Sequence, residues 1–442
     1  MREARPKDPL QKALAVNLDP RRYGTFAEIG AGQEVVRWFF RAGGAAGTIA
    51  KSISAYDMTV SDAIYGRCDR YVCRQRLERM LEYEHVLNLE RLRERRGNTT
   101  AFFAFADTVK AASYAGSSQC HGWLGVRFQS HPRDADSQII LHVNMLDREK
   151  EAQQEALGVV GVNLVYGACF LFHEPELIVE SLLDDLSIER VEIDMIEFSG
   201  IEFRHVDNRL MSLKLVQLGL TGAAMFAADG SVLQPSEVLH KKPVLVQRGS
   251  FRPVTHVNVD MLECALARFE QEPEVRAGEI VPLMEITMRN LMAAGSAGTV
   301  DVRDFLARAD VLAACGTTVL ISDYFEYYRL AAYLSRYTDQ PIARRKKRYI
   351  VVEGLARHRL VAAGEAAGVG GQQDAEDLVE RDGEQDDVDA LHVLQSDSPV
   401  GALLVHDHLE VRECVIDAIV PWERFSHERL LEDGRHSHLV EA

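Results

Sequence analysis

A chain of 442 residues with 47% hydrophobic content carries enough apolar mass for two or three packed domains. Its formal net charge of −17 excludes broad polyanion binding, so neither nucleic acid nor an anionic membrane surface is expected as a partner. No run of about 18 apolar residues occurs. The opening MREARPKDPLQKALAVNLDP lacks the apolar centre of a secretory signal, so the expected location is cytoplasmic. The seven cysteines are scattered, and Cys68 and Cys73 lack the second pair a zinc site needs, so thiols in a reducing compartment are expected.

Taken in order, residues 1–97 read as a helical N-terminal region. Apolar residues recur at three- and four-residue intervals over Gln33 to Arg41 and Val72 to Arg96, the latter ending in a basic turn and Gly97. Residues 98–186 read as a β-rich region, with strands in TAFFAFADTV, GWLGVRFQ, QIILHVNML and GVNLVYGACFLF, and helices over Arg148 to Leu157 and Pro175 to Leu186. Residues 187–342 alternate. Strands are expected at Val191 to Phe198, Ala223 to Ala227, Val244 to Gln247, Ile280 to Ile286 and Thr318 to Ser322. Helices are expected at Val206 to Leu218, Asp260 to Gln271, Val302 to Ala314 and Tyr324 to Ser335. The expected fold class is therefore α/β, with a Rossmann-like parallel sheet and crossover helices in the second half. Residues 343–442 break the plan: their charge-rich, aromatic-poor composition is that of disorder, or of an altered reading frame.

In a parallel sheet, polar residues at the strand carboxyl ends converge on one edge, where ligands bind. The stretch KPVLVQRGSFRPVTHVNVDML places Arg248, Ser250, Arg252 and Thr255 after one such strand, and these are the candidate phosphate ligands. His256 and Asp260 follow as candidate proton-transfer groups. Glu285, Asp323 and Asp229 are the candidate ligands for Mg²⁺, which favours oxygen. Glu197, Ser199, Thr287 and Ser322 end further strands. The opposing reading makes all of these caps and surface ion pairs.

Other motifs are weaker. Glu28 to Gly32 begins like a Gly-x-Gly nucleotide turn but lacks the third glycine, and a helix-entry turn explains it as well. Gly43 to Ser52 has phosphate-loop composition without the lysine directly after the last glycine. Its small residues, with Ala31, equally suit packing between subunits. Ala227 stands where a haloacid-dehalogenase-type phosphatase would have its nucleophilic aspartate. Cys120 and His121 are adjacent on a strand and face opposite ways, so they do not form a dyad. His142 reads as a satisfied sheet histidine. His406, His408, His436 and His438 could bind metal adventitiously.

Several long stretches, among them YGTFAEIGAGQEVVRWFFRAGGAAGTIAKSISAYDM, FFAFADTV, HGWLGVRFQ, NRLMSLKLVQLGLTGAAMFAADG, RGSFRPVTHVNVDML and TTVLISDYFEYYRLAAYLSRYT, resemble a bacterial family without an established function. The resemblance covers about residues 20–342. Members carry the transferred names nicotinate-nucleotide adenylyltransferase or TonB-dependent receptor. A TonB receptor implies an outer-membrane barrel, which the strand pattern does not supply. The adenylyltransferase name implies a His-x-Gly-His motif that is absent, although Ile321 to Arg329 faintly echoes that family's second motif. Three readings stay open: Mg²⁺-assisted binding of, or action on, a nucleotide or other phosphorylated small molecule; a non-enzymatic homo-oligomeric assembly; and nucleotidyl transfer.

Overall fold

The structure, a computed structural model, describes residues 5–111, 120–273, 275, 280–292, 299–346 and 349–353. Expectations for residues 354–442, including the tail histidines, lie outside these.

The first half contains α1 (Pro9–Leu18), β1 (Arg22–Gly30), α2 (Val35–Ala42), β2 (Ile49–Ala55), α3 (Met58–Tyr65), α4 (Arg74–Arg96), β3 (Ala101–Lys110), β4 (His121–Gln129), β5 (Asp136–Met145), α5 (Lys150–Phe170), α6 (Pro175–Ser181) and β6 (Val191–Gly200). Its strands form one six-stranded sheet in the order β2-β1-β3-β4-β5-β6. The β2, β1 and β3 strands are parallel, and the rest add antiparallel. The helical N-terminal region thus also supplies two strands, one of them central. Strand β6, expected to open the second half, closes this first sheet instead.

The second half runs α7 (Asn208–Gln217), β7 (Ala223–Phe226), β8 (Val232–Leu233), α8 (Pro235–Leu239), β9 (Val244–Arg248), α9 (His256–Phe269), β10 (Val281–Thr287), α10 (Met288–Leu291), α11 (Val302–Ala314), β11 (Thr318–Ser322), α12 (Tyr327–Leu334), β12 (Ile342–Lys346) and β13 (Tyr349–Glu353). Its seven-stranded sheet has the order β13-β12-β9-β10-β11-β7-β8. The four central strands are parallel, as alternation predicts, while β7, β8 and β13 are antiparallel additions at the edges. Both sheets are open, which leaves the TonB-receptor name without support.

Pleating sorts the first sheet's side chains. Phe26, Phe103 and Phe105 face α1, α2 and α5, whereas Ala27, Ala106 and Trp123 lie on the side of α4 with Leu77, Met80 and Leu81. Small residues on that second face let α4 approach closely: a Cβ at Gly125 would lie 2.7 Å from Leu81 Cδ1.

Helix α5 overturns one expectation. GVNLVYGACFLF, read as a strand, instead completes a helix of 21 residues buried on nearly every side. A continuous apolar run has no period to separate buried helix from buried strand. Contact decides: a Cβ at Gly161 would fall 2.4 Å from Val35 Cγ2, so that glycine lets α2 seat on α5. Among the described residues no helix is long and apolar enough to cross a membrane.

Candidate functional site

The expected site at the tip of the second sheet assembles only in part. Strands β9 and β10 are parallel with Arg248 opposite Glu285, and β11 sets Ser322 opposite Thr287, so Arg248, Glu285 and Ser322 do converge. They then satisfy one another. The Arg248 guanidinium donates from Nε to Glu285 Oε2 (2.7 Å) and from a terminal nitrogen to Oε1 (2.8 Å). It also donates to the carbonyls of Tyr324 (2.9 Å) and Phe325 (2.6 Å) and stacks 4.1 Å from the Tyr327 ring centre. Glu285 is fully buried and takes the Ser322 hydroxyl as well. A buried carboxylate needs such pairing. Little is left over for phosphate or metal.

The neighbouring residues also have internal partners or face water. Arg252 donates from Nε to Asp304 (2.9 Å), Thr255 caps α9 in a capping box with Asn258, and the Ser250 carbonyl accepts from Arg308 (3.0 Å). His256 and Asp260 lie exposed on α9.

The proposed metal ligands do not gather. Asp229 sits in the turn after β7, which runs antiparallel to β11, and so lies at the opposite edge from Glu285. Its carboxylate accepts the Ser231 amide (2.9 Å). Asp323 is exposed after β11, and its amide bonds to the Gly222 carbonyl (2.9 Å). Glu197 and Ser199 belong to the first sheet, where Glu197 pairs with Arg74 (2.7 Å).

Among the described residues one grouping has metal-ligand spacing: His131, Asp134 and Glu202, with ligand atoms within 4.8 Å of one another. It lies beyond the carboxyl end of β4. The Ser130 hydroxyl already bridges Asp134 (2.8 Å) and Glu202 (2.7 Å), and a histidine suits Mg²⁺ poorly. Residues 43–47 follow α2 in an exposed turn before β2, the reverse of a strand-to-helix phosphate loop. A Cβ at Gly43 or Gly47 would meet nothing within 4 Å.

The first sheet holds a different arrangement. The chain leaves β1 toward β2 and returns on the other side of β1 to form β3, which opens a crevice at the carboxyl ends of these strands. A cavity of about 580 Å³ lies there. Its floor is the turn at Gly30 and Ala31 with the end of β3 at Val109. Gly30 has φ of 76°, and a Cβ on it would lie 2.4 Å from the Val109 carbonyl oxygen, so this tight approach requires glycine. Beneath the turn, Glu28 and Asp107 are register partners and both are buried. Glu28 accepts the Val35 amide (2.8 Å), and Asp107 accepts the Ile29 amide (3.3 Å). Burial raises the Glu28 carboxyl to about 8 and holds Asp107 well above the usual carboxylate range, with the nearby Glu28 adding to it.

The walls are cationic. Arg70, Lys110 and Lys150 line the cavity, and none of the three forms a salt bridge with the described residues. Among the described residues no carboxylate lines it. Tyr71 is pinned by its hydroxyl donating to the carbonyls of Ala55 and Tyr56 (2.9 Å each) and by the Thr108 hydroxyl on its own carbonyl (2.8 Å). That fixes the segment carrying Arg70.

His121, opposite Lys110 in the β3–β4 register, also lines the cavity and heads a buried relay. Its Nδ1 is 3.0 Å from His142 Nε2, and His142 Nδ1 is 2.7 Å from Asp194 Oδ1. Asp194 is completely buried; burial favours its neutral form, but the adjacent His142 and hydrogen bonds from His142, Asn144 and Gln234 hold it below its ordinary range. An ionised Asp194 only accepts, so His142 Nδ1 carries hydrogen. In neutral His142, Nε2 then accepts from His121 Nδ1, which leaves His121 Nε2 as an acceptor. Desolvation, then the neighbouring His142, lowers His121 to about 4.

A β-bulge makes the relay. His142 pairs with Met195 while Val143 pairs with Ile193, so Asp194 is the extra residue and is aimed at His142. His142 is therefore satisfied, as expected, but as the middle of a chain of three. A usable signal was present: a histidine and an aspartate, each in the middle of a strand of apolar residues, imply partners.

No protein-family model and no curated protein matches the chain. Among solved structures it is similar to the competence/damage-inducible protein CihA from Agrobacterium tumefaciens, at 17% identity and TM-score 0.25, over 36% of this chain and 92% of that one. It is similar to a competence or damage-inducible protein from Enterobacter asburiae at 10% identity and TM-score 0.26, over 37% and 96%. A competence-damaged (CinA) superfamily protein from Klebsiella pneumoniae 700603 stands at 12% identity and TM-score 0.26, over 37% and 97%. The likeness spans little more than a third of the chain, and no function is transferred by it.

Proposed function

We propose that the cavity at the carboxyl ends of β1 and β3 binds a nucleotide or other phosphorylated small molecule, and that the chain is a cytoplasmic protein acting on such a ligand. The observation that carries this is charge: Arg70, Lys110 and Lys150 surround a cavity without any lining carboxylate, in a chain whose net charge is −17. Cations that form no salt bridge with the described residues, gathered around a crevice, suit a phosphate ligand, and about 580 Å³ matches the size range of small-molecule sites. Tyr56 and Tyr71 supply ring surface for the rest of the ligand. Mg²⁺, in this reading, arrives with the ligand and is held by phosphate oxygens and water.

Titration calorimetry with inorganic pyrophosphate, ATP and ribose 5-phosphate, each with and without Mg²⁺, tests the proposal. Saturable binding that weakens with added salt supports it. A blank for all three in a cooperatively folded protein would sink it.

A further inference from the structure

We infer that His121 is the catalytic base of the cavity: its Nε2 takes the proton of a water or ligand hydroxyl, while His142 and Asp194 position the ring. This rests on the cavity being the ligand site proposed above. Three observations carry it. His121 is the relay's only member lining the cavity. With both rings neutral, the two contacts of 3.0 and 2.7 Å place hydrogen on His121 Nδ1 and leave a lone pair on its Nε2, the nitrogen not engaged by His142. Asp194 is itself braced from both sides, accepting from Asn144 Nδ2 (2.9 Å) and from Gln234 Nε2 (3.2 Å). That Gln234 nitrogen also lies 3.3 Å from His142 Nδ1, while its carbonyl oxygen accepts from Ser236 (2.6 Å) and the Glu237 amide (3.0 Å). The second half of the chain thereby holds the far end of the relay still.

The step is a single proton transfer. An O–H bond breaks, an N–H bond forms at His121 Nε2, and the oxygen keeps the electron pair. The imidazolium is compensated through His142 by the Asp194 carboxylate, and Arg70, Lys110 and Lys150 face the developing oxyanion. Besides burial, the groups that tune His121 are His142 and Asp194 from β5 and β6, Lys110 from β3 and Arg70 from the segment before α4, while Lys150 from the start of α5 lines the same cavity. Tyr56 and Tyr71 complete the surroundings. Burial first, and the cationic neighbours after it, keep the ring neutral into acid solution.

The full chain with p-nitrophenyl acetate provides the test. Water loses a proton to His121 as its oxygen bonds to the acyl carbon; the adduct collapses to acetic acid and p-nitrophenolate, and the proton on His121 passes to the phenolate, which restores the base. Wild type is expected to exceed His121→Gln by about 100-fold, with a rate flat down to about pH 5, because the ring titrates only near 4. Two-bond ¹H–¹⁵N spectra of the wild type should show His121 as the Nδ1–H tautomer. Asp194→Asn lets the carboxamide donate to His142, which reverses both tautomers and lowers the rate toward that of His121→Gln. Equal rates in wild type and His121→Gln, or an Nε2–H tautomer in the wild type, overturn the assignment, and the wild-type spectrum decides even where a variant fails to fold. Pyrophosphate affinity on the same proteins separates the two readings. Binding retained without a rate difference removes the base alone, whereas a rate difference without pyrophosphate binding removes the phosphate reading and leaves the base.

Discussion

The tips of the two sheets hold similar residue types and put them to different use. At the second sheet, Arg248 and Glu285 come from adjacent parallel strands and close a two-pronged ion pair on each other, with Ser322 and two carbonyls taking up most of what remains. At the first sheet, Arg70, Lys110 and Lys150 line one cavity, with no carboxylate among its described lining residues to meet them. The difference is one of leftover donors. A charge-assisted bond made inside the protein is unavailable to a ligand, and a fully buried Glu285 would be too costly without its arginine. Converging polar residues mark a site only when the fold leaves them unspent.

The comparison breaks most visibly at Arg248. Arg248→Ala strands a buried carboxylate and should cost about 3–5 kcal/mol, read from urea unfolding. Were this tip a phosphate site instead, the variant would lose ligand affinity while keeping its stability. Lys110→Ala gives the mirror result. Unfolding free energy should change by less than about 0.5 kcal/mol, while pyrophosphate affinity falls roughly tenfold with the loss of a charge-assisted bond. Unchanged affinity by calorimetry would return the question to the second sheet.

The buried pair beneath the first tip sharpens the contrast through pH. Glu28 is raised from its ordinary value near 4.5 to about 8, so the folded state holds its proton more tightly than the unfolded chain. Its contribution is complete below about 4.5 and is lost as pH rises through about 8. Glu28→Gln keeps an acceptor for the Val35 amide and removes the titration. Wild type should therefore lose stability relative to the variant as pH climbs across that window, and parallel pH–stability curves would contradict the assignment. The smallest effect belongs to Thr255→Ala, which removes one side of the α9 capping box. It should cost about 1 kcal/mol in thermal unfolding and leave pyrophosphate affinity unchanged.

Legibility followed the range of the interaction. Strands at residues 101–110, 121–129 and 136–145 and the helix at 302–314 emerged nearly as read, because period-2 and period-3.6 patterns report a buried face locally. The convergence of Arg248, Glu285 and Ser322 was also visible, since parallel alternation implies it. Their mutual satisfaction was not, because it depends on register. Neither was the relay, because three polar residues on three strands become neighbours only through pairing order and one bulge.

By itself, then, the sequence determined an α/β chain and the positions of most elements, both consequences of local periodicity and composition. The tertiary structure alone decided that residues 158–170 are a packed helix, that β6 joins the first sheet, and that His121, His142 and Asp194 stand in line. Each of those outcomes is fixed by contacts between segments far apart in the chain, whose energies no local pattern encodes.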